Sequence, residues 1–152
     1  MFEVVYFSRS GNTKKVADAI ASELKVTAKD VKTTGTVPGD AFIFLGTGCY
    51  GGTLPKELEL FLKINKFQNR KIALFTTSGF GSAAERNLIE KQLKDRGAVI
   101  THNYKCYGRF MGMKKEHPTA EELDNARFFA RAVAVTLFPQ RSDRPKAASV
   151  SR

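Results

Sequence analysis

Segments typical of buried β-strands alternate with segments of helical periodicity along almost the whole chain. The strand segments are apolar and rich in β-branched or aromatic residues, and we predict five, at residues 2–7, 26–32, 41–45, 71–76 and 98–107. Four helices are predicted between and after them, over residues 13–25, from Pro55 onward, over 82–96 and over 119–138. This alternation predicts an α/β fold in which an open parallel sheet is covered by helices on both faces.

The turn between the first strand and the first helix is rich in hydroxyl groups. It reads Phe7-Ser8-Arg9-Ser10-Gly11-Asn12-Thr13-Lys14. A helix N-terminus offers unpaired N–H groups and partial positive charge, and glycine allows close backbone approach, so this turn suits a phosphate. Neither the spacing of a Walker A loop nor that of a dinucleotide-binding loop is present. The alternative interpretation is a polar turn capped by Thr13.

Two glycine-rich segments follow later strands of the predicted sheet. They are Gly46–Gly52 and Ser78-Gly79-Phe80-Gly81. Ligands of open parallel sheets bind beyond the carboxyl ends of the strands, so segments 8–13, 46–53 and 77–82 are expected to converge on one crevice. Tyr50 and Phe80 lie among these glycines, which suits a flat aromatic ligand. Alternatively, either ring packs on the core as a loop anchor.

These motifs resemble those of the short-chain flavodoxin family, over residues Phe2 to about Phe138. The stretch Ser8-x-Ser10-Gly11-Asn12-Thr13 matches the family's FMN-phosphate loop, and this match is specific. Cys49-Tyr50-Gly51-Gly52 and Ser78-Gly79-Phe80-Gly81 match its two flavin loops less specifically. The resemblance implies a three-layer fold with a five-stranded parallel sheet in the order 2-1-3-4-5, and FMN as the cofactor.

The resemblance also implies which residues bind the cofactor. Ser8, Ser10, Asn12 and Thr13, with the Gly11 amide, would hold the phosphate, while Tyr50 and Phe80 would flank the ring. The Gly51–Gly52 peptide would reorient beside flavin N5 as the redox state changes, which glycine permits at low cost. The full set of predicted cofactor-binding residues is Ser8, Arg9, Ser10, Gly11, Asn12, Thr13, Thr47, Gly48, Cys49, Tyr50, Gly51, Gly52, Thr77, Ser78, Gly79, Phe80 and Gly81.

Length and composition agree with one domain. The chain has 152 residues, of which 42% are hydrophobic, and we predict a folded domain over 1–138 and a disordered basic tail over 139–152. No signal pattern or spanning apolar run is evident, since Arg131 interrupts the last apolar stretch, which predicts a cytoplasmic protein. Cys49 and Cys106 lack metal-ligand spacing, so no metal is expected. Cys49 is interpreted as a space-filling residue or, alternatively, a redox participant.

The charge of the chain differs from that of the acidic family it resembles. The net charge is +10, and the tail contributes four basic residues and one aspartate, +3, which leaves +7 on the domain. A positive surface attracts acidic partners, so redox partner proteins with acidic docking surfaces are expected. Nucleic acid is disfavoured because no recognition motif is present. The loop 109–118, with Phe110, Met111 and Met113, either docks a partner or packs on the sheet edge.

The predicted function is that of an FMN-binding carrier that passes electrons from a reductase to an acceptor enzyme. The flavin would supply the chemistry, and no side chain is predicted to act as an acid, base or nucleophile. Two alternatives remain open. One is a small FMN-dependent NAD(P)H:acceptor oxidoreductase, and the other is an accessory subunit of a flavin reductase, for example one that reduces a tetrapyrrole such as bilirubin.

Overall fold

The computed structural model describes residues 1–48, 52–78, 84–107 and 118–139. In chain order its elements are β1 (Phe2–Tyr6), α1 (Asn12–Leu24), β2 (Ala28–Asp30), α2 (Val31–Thr34), β3 (Phe42–Gly48), α3 (Lys56–Ile64), β4 (Lys71–Ser78), α4 (Ala84–Asp95), β5 (Val99–Tyr107) and α5 (Ala120–Leu137). The five predicted strands and four predicted helices are all found within a few residues of their expected positions.

The five strands form one parallel sheet in the order β2-β1-β3-β4-β5. This confirms the predicted fold class and strand order. Tyr6 is in register with Gly46, and Gly46 with Phe75, so β1, β3 and β4 end at the same edge of the sheet. The chain leaves β1 toward β2 and returns to β3 on the other side, which puts the reversal of strand order between β1 and β3.

Two apolar layers cover the sheet, one on each face. Because successive strand residues point to opposite faces, Val4 and Phe44 face α1 and α5, whereas Val5 and Leu45 face α3 and α4. The first layer is completed by residues such as Val16, Ile20, Ala126, Ala130 and Val133, and the second by Leu58, Phe61, Leu62, Ile89 and Leu93. The two layers hold the sheet edge that carries the loops in a fixed position.

The region around β2 differs from the prediction. The chain turns at Lys25, whose φ is +58°, and the Val26 N–H donates to Ala21 O at 2.9 Å, so the strand begins only at Ala28. At the other end Asp30 caps a short helix, α2, by accepting a hydrogen bond from the Lys32 N–H at 2.9 Å. The predicted strand over 26–32 was therefore too long, and α2 was not predicted.

Strands β3 and β4 are longer than predicted, because they end in glycine and hydroxyl residues, which are typical of loops. Gly46, Thr47 and Gly48 belong to β3, and Thr77 and Ser78 belong to β4. A Cβ at Gly46 would overlap the Phe75 ring of the neighbouring strand, so this glycine serves strand packing rather than a loop. Of loop 109–118 and tail 139–152, only Pro118 and Pro139 lie within the described residues.

Candidate functional site

The loop that joins β1 to α1 is held by its own backbone. Gly11 is the N-cap of α1 with φ +90°, and no side chain caps the helix. The interpretation of Thr13 as the cap is therefore wrong, because Thr13 lies inside the first turn of α1. The Gly11 N–H donates to Ser8 Oγ at 3.0 Å. The positive φ of Gly11 turns the chain sharply between the strand end and the helix start.

Asn12 carries a buried polar group for which the structure offers no partner. The residue is 3% exposed, yet its Nδ2 makes no hydrogen bond. An orphaned amide of this kind costs free energy unless a ligand or water accepts its hydrogen bond. It lies at the N-terminus of α1, where unpaired backbone N–H groups and the helix dipole favour an anion.

Thr13 is also buried, and it links this loop to a distant strand. Its Oγ1 lies 2.7 Å from the Thr77 Oγ1 at the end of β4. Both side chains are less than 5% exposed. The contact brings the first and third predicted segments together, as expected from the shared edge of the sheet.

Positive charge flanks the base of the loop. The Lys32 Nζ lies 5.3 Å from the centroid of the Phe7 ring, and the Arg9 guanidinium carbon lies 5.9 Å from it. Arg9 and Ser10 are exposed, and Ser8 is partly buried. Lys32 was not among the predicted site residues, because it lies on α2, which the sequence did not reveal.

The other predicted segments are described in part. Thr47 is buried and donates through Oγ1 to Gly48 O at 3.2 Å, and Gly48 is in register with Thr77. Gly52 has φ +83°. Six of the predicted cofactor-binding residues, among them the two that would flank the ring, lie outside the described residues: Cys49, Tyr50, Gly51, Gly79, Phe80 and Gly81. Ser78 lies at the end of β4.

A thiol at the same edge of the sheet is buried and protonated. Cys106 pairs in register with Thr77 and donates through Sγ to Glu122 Oε2 at 3.1 Å. Burial, followed by the contact with Glu122, raises the pKa of the Cys106 thiol well above its ordinary value near 9.0. A thiol in this state is a poor nucleophile and metal ligand.

Two classes of site are not found in the part of the chain that the structure describes. Over residues 1–48, 52–78, 84–107 and 118–139, no three His, Cys, Asp or Glu side chains come together as a metal site. Within the same ranges, no helix has the length and hydropathy needed to cross a bilayer. The described part of the crevice thus offers hydroxyl, amide and backbone N–H groups to a ligand.

Comparison with known proteins agrees with this arrangement. The sequence profile of the flavodoxin domain matches residues 3–117. An uncharacterized protein of Methanocaldococcus jannaschii is 31% identical over 80% of this chain and 89% of its own length. The flavodoxin of Clostridium beijerinckii is 28% identical over 64% of this chain and 79% of its own.

A solved structure has the same fold. The crystal structure of oxidised flavodoxin 2 from Bacillus cereus superimposes with a TM-score of 0.68 and 24% identity, covering 89% of this chain and 98% of that one. At this identity the similarity shows the fold, and the profile match over most of the chain shows the family. The chain belongs to the flavodoxin family, whose members bind FMN.

Proposed function

We propose that this protein binds FMN through the β1–α1 loop and carries electrons from a reductase to an acceptor enzyme. The observation that carries the proposal is the buried, unpartnered Nδ2 of Asn12 at the N-terminus of α1. A phosphate oxygen would accept the hydrogen bond that Nδ2 lacks. Membership of the flavodoxin family supports the identity of the ligand.

The phosphate would be held by the Asn12 amide, by the hydroxyls of Ser8, Ser10 and Thr13, and by backbone N–H groups at Gly11. The Gly11 N–H donates to Ser8 Oγ without ligand, so phosphate binding would exchange this bond for one to a ligand oxygen. Thr77 would orient the Thr13 hydroxyl through the hydrogen bond between the two side chains. The remaining residues predicted to bind the cofactor are Thr47, Gly48, Cys49, Tyr50, Gly51, Gly52, Ser78, Gly79, Phe80 and Gly81.

The flavin ring, when bound, accepts and returns electrons, while the protein supplies orientation and electrostatics. The buried edge formed by Thr47 and Thr77 would exclude water from one side of the ligand. Cys106, with its raised pKa, would stay protonated beside that edge and take no part in the electron transfer.

Acidic partners are the second element of the proposal. The +10 net charge and the positions of Lys32 and Arg9 beside the loop support a docking surface for an acidic redox protein. Attraction of this kind raises the association rate at low salt and is screened at high salt.

Reduction kinetics distinguish the function of an electron carrier from that of an NAD(P)H-dependent oxidoreductase. FMN-loaded protein is mixed anaerobically with NADPH or NADH, with and without a separate flavoprotein reductase, and flavin bleaching is followed. We expect slow bleaching with nicotinamide alone and fast bleaching once the reductase is present. Rapid direct oxidation of either nicotinamide, with turnover on a quinone, would instead identify an oxidoreductase. The Asn12→Asp variant, which should release FMN, controls for reduction of unbound flavin.

A further inference from the structure

A second buried polar group without partners lies at the opposite end of the sheet. Arg70 immediately precedes β4 and is 6% exposed. Its Nε and Nη1 make no hydrogen bond. Its backbone is fixed, because the Arg70 N–H donates to Phe67 O at 2.9 Å and the Val99 N–H donates to Arg70 O at 2.8 Å. The side chain is therefore anchored at the amino ends of β4 and β5, away from the β1–α1 loop.

The surroundings of this guanidinium leave its charge poorly compensated. The Phe67 ring centroid lies 5.9 Å from its carbon, which covers one face. Burial lowers the pKa of Arg70 from its ordinary value, and the exposed carboxylate of Asp40 acts in the opposite direction. Even so, arginine remains charged in proteins, so burial with Nε and Nη1 unpaired is costly. A carboxylate that approaches the guanidinium from the side of Gly39, where Nη2 lies, would compensate this charge.

A cavity of about 410 Å³ opens beside Arg70. Its apolar wall contains Phe42, Leu137 and Phe138, and Phe138 is 54% exposed. Gly39 lines this cavity and a neighbouring one of about 240 Å³, which Arg70 also lines. A Cβ on Gly39 would lie only 3.7 Å from Arg70 Nη2, so the missing side chain keeps the approach to the guanidinium open.

We propose that this cavity binds a small organic carboxylate, with the carboxylate on Arg70 and its apolar body against Phe42 and Phe138. Guanidinium and carboxylate form strong charge-assisted hydrogen bonds. The lining residues Arg70, Lys71 and Asp40 sum to one positive charge, which one carboxylate neutralises. A dianionic phosphate would leave one uncompensated negative charge in this partly enclosed site, which is costly. The site lies at the opposite end of the strands from the proposed FMN site and does not depend on it.

The test uses the FMN-loaded full chain and three probes that share a phenyl group. They are 3-phenylpropionate, phenyl phosphate and the neutral 3-phenylpropanol. Binding is measured by calorimetry, and its location by backbone amide NMR. We expect 3-phenylpropionate to bind saturably and to shift the amides of residues 39–42, 69–71 and 137–138. Phenyl phosphate should bind more weakly, and 3-phenylpropanol should not bind at the same concentration.

Four variants test the assignment to Arg70. Arg70→Gln should lower the affinity for 3-phenylpropionate about 10-fold or more, the range expected for loss of a hydrogen bond to a charged group. Gly39→Val should weaken it similarly by filling the space beside Nη2, whereas Asp40→Asn should tighten it. Lys63→Gln is the matched control for surface charge, because Lys63 lies exposed on α3 outside the cavity, and it should change the affinity less than about 3-fold. None of these should change the affinity for FMN.

Several outcomes would overturn the proposal. They are the absence of saturable binding, equal binding of 3-phenylpropanol, tighter binding of phenyl phosphate, or equal losses in Arg70→Gln and Lys63→Gln. If Arg70→Gln does not fold, as judged by circular dichroism, Gly39→Val and Asp40→Asn decide, because both positions are exposed. Unchanged affinity in both would end the proposal. Failure of FMN binding would leave this test intact, because the apoprotein can be titrated with the same probes.

Discussion

The hydroxyl oxygens of Thr13 and Thr77 lie 2.7 Å apart, although 64 positions separate the two residues in the chain. Thr13 lies in the first turn of α1 and Thr77 near the end of β4, so the pair ties the β1–α1 loop to the strand that precedes the segment 79–83. A hydroxyl has one proton to donate, so the direction of this bond decides which oxygen can still donate to a ligand.

Replacing Thr13 with Val keeps the shape of the side chain and removes the hydroxyl. We expect Thr13→Val to weaken FMN about 10-fold to 150-fold, the equivalent of roughly 1.5–3 kcal/mol for a hydrogen bond to a charged group. Riboflavin, which lacks the phosphate, should lose much less. Fluorescence titration with both flavins measures the two losses of affinity. Equal losses for FMN and riboflavin would show that the phosphate lies elsewhere.

Thr77→Val tests whether the pair acts as a unit. If Thr77 orients Thr13, each single variant already loses the oriented donor, and the double variant should lose less FMN affinity than the sum of the two single losses. Thr136→Val is the matched control. Its hydroxyl donates to Ala132 O on the exposed side of α5, far from the loop, so FMN affinity should not change. Strict additivity of the two losses would contradict the coupling.

Two buried asparagines differ in whether the protein itself satisfies their hydrogen bonds. Asn65 accepts from the Val37 N–H at 2.9 Å and donates to Gly35 O at 3.2 Å and Phe61 O at 3.0 Å. Asn12 Nδ2 donates to nothing. We therefore expect Asn65→Ala to lower the free energy of unfolding of the apoprotein by several kcal/mol. Each lost hydrogen bond contributes about 1 kcal/mol, and the backbone partners that are left unpaired add to the loss. Asn12→Ala should lower the free energy of unfolding much less.

For FMN affinity we expect the opposite order, with Asn12→Ala causing a larger loss than Asn65→Ala. Asn12→Ala should weaken FMN, and Asn12→Asp should weaken it further because a carboxylate repels the phosphate. Asn65→Ala should leave the affinity nearly unchanged once the folded fraction is corrected for. Urea unfolding of the apoprotein and flavin titration of the same variants give both quantities. A large loss of apoprotein stability in Asn12→Ala would indicate that the amide already has a partner in solution.

The sequence predicted the sheet well because Val4, Ile43 and Leu74 lie in apolar runs that only a doubly covered parallel sheet can bury. It predicted the β1–α1 loop because Gly11 and its polar neighbours form a compact local motif. It missed α2, since four residues capped by Asp30 carry no periodicity. It also missed Lys32 and the Thr13–Thr77 contact, which depend on tertiary packing rather than on local pattern.

Gly46 illustrates how local pattern misleads. A glycine beside other glycines predicts a loop, but here it leaves room for the Phe75 ring of β4. Gly46→Ala would force the ring to move within a packed core, and we expect a loss of about 1–3 kcal/mol in the free energy of unfolding. Gly39→Ala is the matched control, because its Cβ would make an ordinary contact at 3.7 Å. Equal stability of both variants in urea would contradict this role for Gly46.

The Cys106 thiol provides a pH test. Its pKa in the folded chain is raised above the ordinary value near 9.0, chiefly by burial, so it stays protonated where an unfolded chain would ionise. The unfolded state thus releases a proton that the folded state keeps. The contribution of Cys106 to stability is present below about pH 9 and is lost as the pH rises further.

Two measurements on the Cys49→Ser background isolate this thiol. Ellman's reagent should label Cys106 slowly in the native protein at pH 8 and at once in urea, because thiolate is the reactive form. Between pH 8 and 10, the free energy of unfolding should fall less in the double variant Cys49→Ser, Cys106→Ala than in Cys49→Ser alone. Rapid native labelling would contradict the burial of the thiol at 3% exposure.

The positive charge of the chain should act on the bound flavin itself. Carboxylates around an anionic cofactor oppose the addition of a second electron, whereas this chain carries +10 in total. One positive charge about 8 Å from the ring, at an effective dielectric near 20, contributes about 2 kcal/mol, or about 90 mV at roughly 2.3 kcal/mol per 100 mV. Screening of exposed side chains reduces this figure. The second one-electron potential should therefore be less negative than in acidic flavodoxins.

Lys32 provides the direct test, because its Nζ lies 5.3 Å from the Phe7 ring at the base of the loop. Lys32→Gln should make the second potential more negative by less than about 90 mV, since its charge is screened by solvent. Lys66→Gln removes the same charge from an exposed position between α3 and β4 and should leave the potential unchanged. Spectroelectrochemical titration at two salt concentrations measures both variants, and the Lys32 effect should shrink as salt rises. A second potential as negative as in acidic flavodoxins, or equal shifts in the two variants, would show that this local charge does not act on the flavin.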